Sequence, residues 1–314
     1  MEETHAARAD VPEMRAYGIA LVSRRTLPDM AARLTAHIAQ AGGQLADIVS
    51  LSQDGGPFGA LYSYADLPAD AIPGLRRAFD EQDDIDAFIG SPRAMQPSGV
   101  LVSDMDSTII GQECIDEIAD AVGLKPVIAE ITERAMRGEL DFESALIERV
   151  GMLKGLPLAE LERTFEERIT LNPGARTLIR TVRAQGHKTL LVSGGFTYFT
   201  ARVARLAGFE LDRGNTLIDD GEALTGEVAR PILGREAKRI ALLEQVESFR
   251  GTAENAIALG DGANDLDMIR EAGIGVAYRA KPIVAAEANA SIRHTDLTAA
   301  LYFQRYTTRQ FVRD

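Results

Sequence analysis

Cysteine is almost missing from this 314-residue chain. Cys114 stands alone, so an intramolecular disulfide framework is excluded and a reducing cytoplasm is the expected compartment. No apolar run approaches the roughly 18 residues that a membrane-spanning helix needs. The start, Met1-Glu-Glu-Thr-His-Ala6, also has neither the basic nor the apolar stretch of a secretion signal. A soluble, intracellular protein without a membrane partner is expected. Positive charge is scarce as well: 34 Lys and Arg stand against 47 Asp and Glu, and the net charge of −13 is spread over both halves of the chain. No basic stripe is left for nucleic acid. Such an acidic protein can handle an anionic ligand only by gathering local positive charge from a metal ion and a few placed Arg or Lys.

The length suits two domains, and an apolar fraction of 46% is ordinary for a globular chain. Residues 1–14 are polar and aperiodic and read as a mobile arm. From Tyr17 to Ile89 the pattern is strand, helix, strand, strand, helix, strand, which is the split βαβ order of an α+β ferredoxin-like domain over residues 15–90. Met30, Leu34 and Ile38 mark its first helix, and Ile72, Leu75 and Phe79 mark the second. Leu45–Leu51 and Phe58–Tyr64 read as strands joined by a turn at 53–57. Ser91-Pro-Arg-Ala-Met-Gln-Pro-Ser98 is a candidate linker.

The second domain, 99–314, opens with the stretch Gly99-Val-Leu-Val-Ser-Asp-Met-Asp-Ser-Thr108. Val100, Leu101 and Val102 suit a strand buried on both faces of a parallel sheet. If the extended conformation persists, Asp104 and Asp106 point the same way and Met105 points opposite. Two carboxylates then share a small volume at the end of a strand, which is costly unless a hard divalent ion offsets them; magnesium is the natural one. Asp104 would then serve as nucleophile and Asp106 as proton donor and acceptor. The plainer reading is a turn that opens a helix, with Asp106 or Ser107 as its cap.

Residues 117–171 are helical by pattern and read as an insertion, with breaks at Gly138, Gly151 and Gly155-Leu-Pro157. Asn172-Pro-Gly174 should cap the next helix, which leads into the strand Lys188–Ser193. A hairpin over 215–228, a helix over 235–246, and short strands at Ala256–Leu259 and Ile274–Ala277 complete an α/β, doubly wound parallel sheet.

Asp261 follows its strand as Asp104 does, so a parallel sheet would bring the two together as metal ligands with the main-chain carbonyl of Asp106, and Asp265 could support that shell. Ser193-Gly194-Gly195, at another strand end, would let a hydroxyl and a bare amide approach a phosphate. Lys238 is either a point charge for that phosphate or a solvated surface lysine. Arg149 falls on the apolar stripe of Leu146, Val150 and Leu153 and needs a partner: a ligand carboxylate, or internally Glu143 or Glu148. Glu113 could hold an ammonium or merely favour its helix dipole. Met136 and Phe142 could cover the site or simply be core.

Asp104-Met-Asp-Ser-Thr108, Ser193-Gly194, Lys238 and Gly260-Asp-Gly-Ala-Asn-Asp265 stand in the order and approximate spacing of the motifs of the haloacid dehalogenase superfamily. Within it, residues 99–305 resemble the phosphoserine phosphatases. The resemblance implies a magnesium-dependent hydrolase of O-phospho-L-serine acting through an aspartyl-phosphate, at the last step of serine biosynthesis. Asp104 would be the nucleophile and Asp106 the general acid and base. Glu113 and Arg149 would read the amino and carboxyl groups, and Met136 and Phe142 would belong to the cap. Ser193, Gly194, Lys238 and Asn264 would hold the phosphoryl group, and Asp104, Asp106 and Asp261 would bind Mg2+. Met105 departs from the aromatic residue of many relatives. Residues 15–90 resemble ACT-like regulatory domains, and sheet-edge pairing of such domains makes a homodimer a reasonable expectation. The rival readings are a phosphotransferase or phosphatase for another small phosphomonoester, such as transfer from phosphoserine to homoserine, and an idle amino-acid sensor.

Overall fold

The computed structural model describes residues 14–52, 57–136 and 139–313, without the side chains of residues 133, 135 and 136. Most of the expected arm, the 53–56 part of the turn and the break at Gly138 lie outside the described residues. The first unit comprises β1 (Met14–Ser23), α1 (Leu27–Gln40), β2 (Gln44–Leu45), β3 (Val49–Ser50), β4 (Gly59–Pro68), α2 (Ile72–Asp80) and β5 (Ile85–Gly90). Thr26 caps α1 by accepting from the Asp29 amide, and Met30, Leu34 and Ile38 are buried on its inner face. Ile72, Leu75 and Phe79 of α2 join the same core beside Ile19, Leu21 and Leu61.

The strands run in the order β2-β4-β1-β5, with β3 also paired to β4. The expected strand over 45–51 is broken into two-residue pieces. Its cause is Ser63, a fully buried residue of β4, whose hydroxyl lies 3.1 and 3.2 Å from the carbonyls of Ala46 and Asp47 and interrupts the ladder.

The second unit begins with β6 (Val100–Ser103), every residue of which is buried. Four helices follow: α3 (Cys114–Ala121), α4 (Lys125–Met136), α5 (Phe142–Gly151) and α6 (Leu158–Arg168). Then come α7 (Ala175–Ala184), β7 (Lys188–Phe196), α8 (Thr197–Ala207), β8 (Leu211–Asn215), the hairpin β9 (Leu217–Asp219) and β10 (Leu224–Val228), and α9 (Arg235–Ser248). The chain finishes with β11 (Ala256–Gly260), α10 (Leu266–Glu271), β12 (Ile274–Tyr278), α11 (Pro282–Glu287), β13 (Ala290–Ile292) and α12 (Ala299–Phe303). The strand order β13-β12-β11-β6-β7-β8 is parallel throughout. Because β6 lies between β11 and β7, the carboxyl ends of all three open side by side.

Asn172 does not cap α7. Gly174 holds that position at φ 82° with no side-chain cap bond, while the Asn172 amide donates to the carbonyls of Thr108 and Ile110 at 2.8 and 3.0 Å. The two chain crossings into the helical insertion are joined to each other. Ile110 and Leu171 form an isolated antiparallel bridge, and the Gln112 and Thr170 side chains meet at 2.9 Å.

The two units share one sheet. β5 pairs antiparallel with β13, matching Phe88 with Ala290 and Ala87 with Ser291, so one edge of the first sheet is already occupied. Segment 91–98 is packed, with Ala94 and Met95 fully buried and the Ser98 amide donating to Gln304 at 2.9 Å. Asp86, itself buried, accepts from the amides of Arg293, His294 and Thr295 at 2.7, 3.1 and 2.8 Å and from the Thr295 hydroxyl. Replacing Asp86 by Ala strands these donors. We expect Asp86→Ala to lower unfolding stability by about 3 kcal/mol, read as a reduced urea midpoint, and a loss below about 0.5 kcal/mol would show that the junction does not depend on this carboxylate.

Candidate active site

The strand ends converge on a cavity of about 590 Å3 lined on the core side by Asp104, Asp106, Ser193, Gly194, Asp261 and Asn264. Its other wall, from the helical insertion, carries Glu113, Asp116, Phe142 and Arg149. All the expected residues except two are brought to this one space. Lys238 lies beneath it, and the Met136 side chain lies outside the described residues.

Lys238 is not a surface lysine. It is 1% exposed, and its ammonium sits 2.8 Å from Asp104 Oδ1 and 2.6 Å from Asp265 Oδ1. Burial alone would lower its pKa, but the two carboxylates overcome that and raise it, so Lys238 stays an ammonium. Asp265 is used on both oxygens: Oδ2 accepts from the Asp261 and Gly262 amides at 3.2 and 3.0 Å. It thereby shapes the loop that presents Asp261.

Asp104, Asp261 and Asp265 each offer an oxygen within 4.8 Å of the others. Hard oxygen donors clustered this closely fit a metal ion that favours oxygen ligands, because the one ammonium of Lys238 offsets only part of the charge of three carboxylates. Asp106 does not bring its carboxylate to this cluster. Its Oδ1 accepts from the Cys114 amide at 3.1 Å and its Oδ2 lies 3.4 Å from the Ser193 hydroxyl. Through that amide it also holds the first turn of α3, as the turn reading expects.

The carboxyl groups are biased toward the protonated form. Burial raises Asp104 well above the ordinary range, reinforced by Asp265 and opposed by Lys238. Burial likewise raises Asp106, against the Cys114 hydrogen bonds. Asp261 is pushed up to about 6 by burial and by Asp265, although the Thr108 hydroxyl donates to it at 3.0 Å. Glu113 is pushed up to about 7 by burial and Asp106, opposed by the Ser107 hydroxyl at 2.7 Å.

Arg149 has the strongest claim to an external partner. Its internal candidates are engaged elsewhere, Glu148 with Arg134 at 2.7 Å and Glu143 with Arg230. Its guanidinium donates to the Ala145 carbonyl at 3.2 Å, and no described carboxylate lies within 4.0 Å of it. Phe142 lines the cavity beside two glycines: a Cβ on Gly194 would stand 3.0 Å from its ring, and one on Gly234 would stand 3.5 Å away. Thr108, Asn172 and Asn215 support the site, a role the sequence did not suggest for any of them. Each acts through hydrogen bonds to residues distant in the chain, and only Thr108 fell inside a recognisable motif.

The core sheet, its acidic strand ends and the helical insertion define a class. Residues 101–270 match the haloacid dehalogenase-like hydrolases, and the chain belongs to that family. Among curated relatives, the phosphoserine phosphatase of Albidiferax ferrireducens is 45% identical over 215 residues, covering 67% of this chain and 91% of that one. Among solved structures, a HAD family hydrolase from Salmonella enterica serovar Typhi superposes with TM-score 0.79 at 30% identity, covering 91% of this chain and 98% of the other. A probable phosphoserine phosphatase from Vibrio cholerae gives 0.72 at 27% identity, covering 93% and 88%. Both superpositions therefore extend over most of the first unit as well.

Metal binding should release protons, because a raised carboxyl pKa means that the metal-free fold carries a proton which the cation displaces. For Asp261 that proton is bound below about pH 6 and already lost above it. Calorimetry in buffers of different ionisation enthalpy should show release that grows as pH falls from 8 to 6. Equal release across that interval would contradict the clustered arrangement.

Proposed function

We propose that the chain is a phosphoserine phosphatase that hydrolyses O-phospho-L-serine to L-serine and phosphate with Mg2+. The observation that carries this reading is Arg149, a half-buried guanidinium without a described carboxylate partner, lining the same cavity as Asp104. One end of the space thus suits a phosphoryl group and the other an amino acid. The relatives named above support the assignment.

In this reading Asp104 attacks phosphorus, and the bond to the serine oxygen breaks as Asp106 delivers its proton to that oxygen. Asp106, now a carboxylate, takes a proton from water as the water opens the aspartyl-phosphate, which releases phosphate and restores Asp104. The raised pKa of Asp106, caused first by burial, favours the protonated form that the first role needs. Ser193, Gly194, Lys238 and Asn264 hold the phosphoryl oxygens, and Glu113 and Arg149 hold the ammonium and carboxylate. Asp104 and Asp261, with the Asp106 carbonyl, would ligate Mg2+, which when bound offsets the charge shared by carboxylates and phosphoryl oxygens. Phe142, which lines the cavity from the insertion, excludes water during the first step. Residues 15–90 form an ACT-like unit in this reading, and the single cysteine suits a reducing cytoplasm.

A substrate panel with Mg2+ and then with a chelator tests the activity; phosphate released from another monoester in preference to phosphoserine would overturn it. Asp104→Asn should reduce turnover by about 10³-fold or more while leaving the far-ultraviolet circular dichroism intact, and near-parental activity would exclude this nucleophile. Arg149→Ala should cost about 3 kcal/mol in kcat/KM for phosphoserine and little for phosphoethanolamine, which lacks the carboxylate. Equal losses on both would remove Arg149 from substrate reading.

A further inference from the structure

Asn215 ends β8, is 2% exposed, and makes three hydrogen bonds, all to backbone. Its side-chain amide nitrogen donates to the Gly194 carbonyl at 2.8 Å and to the Leu233 carbonyl at 3.2 Å. Its carbonyl oxygen accepts from the Leu233 amide at 2.7 Å. The partners fix the orientation, because a flipped amide would set N–H against N–H and two carbonyl oxygens against a third.

The need for such a residue follows from β7. That strand pairs with β8 from Leu190 to Val192, then loses register and recovers only at Phe196 opposite Asn215. The residues lifted out of the ladder are Ser193, Gly194 and Gly195, the phosphate loop. A bulge leaves backbone groups without ladder partners. Asn215 supplies the partner for Gly194. Fixing that carbonyl also fixes the next amide in the same peptide plane, and the Gly195 N–H donates to the Ser193 hydroxyl at 2.9 Å. The hydroxyl then lies 3.4 Å from Asp106 Oδ2. On the other side, Leu233 directly precedes Gly234, the residue before α9, and α9 carries Lys238.

We propose that Asn215 is the positioning residue for phosphate: it holds the Ser193–Gly195 loop and the start of α9 in one register, so that Ser193, the Gly194 amide and Lys238 close on the same phosphoryl group. This rests on the phosphate-binding roles given above. The close approach has a second support in Gly214, where a Cβ would stand 3.1 Å from the Gly195 carbonyl oxygen. A side chain there would push β8 off the loop.

Asn215→Ala, Asn215→Asp and Asn215→Ser separate positioning from mere support. The Asp variant keeps the shape but turns an acceptor toward two carbonyls, and the Ser variant leaves room for a bridging water. For whichever of them folds, the inhibition constant of inorganic phosphate and the KM for phosphoserine should rise together by about tenfold or more, with a smaller fall in kcat. Val203→Ala, a core change on α8, should lower the melting temperature and leave the phosphate constant unchanged. A phosphate constant within about twofold of the parent in an Asn215 variant overturns the proposal, whatever its melting temperature. If the parent chain neither hydrolyses phosphoserine nor is inhibited by phosphate, the functional reading fails instead, so the two failures are distinguishable.

Discussion

One ammonium group organises the centre of this molecule. Lys238 is sealed between Asp104 and Asp265, and three charges so far from water are tolerable only while they satisfy each other. One positive charge against two negative ones leaves a residual negative charge before Asp261 is counted. That remainder adds to burial in raising the pKa of Asp104 and Asp261, and it suits a cation of high charge density. The ion pair also ties Asp104 to a residue 134 positions further along, so that carboxylate cannot be moved without disturbing the helix that carries the lysine.

The sheet makes such long-range ties routine. β6 lies between β7 and β11, and parallel pairing aligns their carboxyl ends whatever the length of chain between them. Each strand then delivers a different tool: a carboxylate pair from β6, a hydroxyl with glycine amides from β7, and another carboxylate from β11. The helical insertion between β6 and β7 adds the residues suited to an amino acid. A common core can therefore keep its phosphate chemistry while the inserted helices decide what the phosphate is attached to.

Much of this could be read from the chain, and the omissions have physical causes. The apolar run Val100–Val102 and the alternation of Asp104 and Asp106 were local signals, as were the stripes of α1 and α2. Arg149 stood out because a guanidinium on an apolar face violates the helical pattern. Lys238 gave no such signal. Its neighbours do not reveal that its helix end would be buried, and only the folded arrangement removes the surface alternative. Residues 197–214, which hold α8 and most of β8, drew no assignment, and Asn215 was read as the start of the hairpin instead of the end of β8. A side chain that repairs a bulge in a neighbouring strand leaves no periodic trace. Likewise, nothing local foretold that Ser63 would break the second strand, or that the Asn172 side chain would hold the loop after β6 instead of its own helix.

The junction between the units bears on how the molecule is built. β13 has β12 on one side and β5 on the other, and Phe88 of β5 packs at a tilt beside Phe303 of α12 with ring centres 6.4 Å apart. Cutting the chain ahead of β6 would strip β13 of that neighbour and leave a bare row of amides and carbonyls beside an uncovered aromatic patch. Such an edge is an invitation to aggregate. In this chain the unit built from β1 to β5 acts as a splint for the edge of the second unit's sheet.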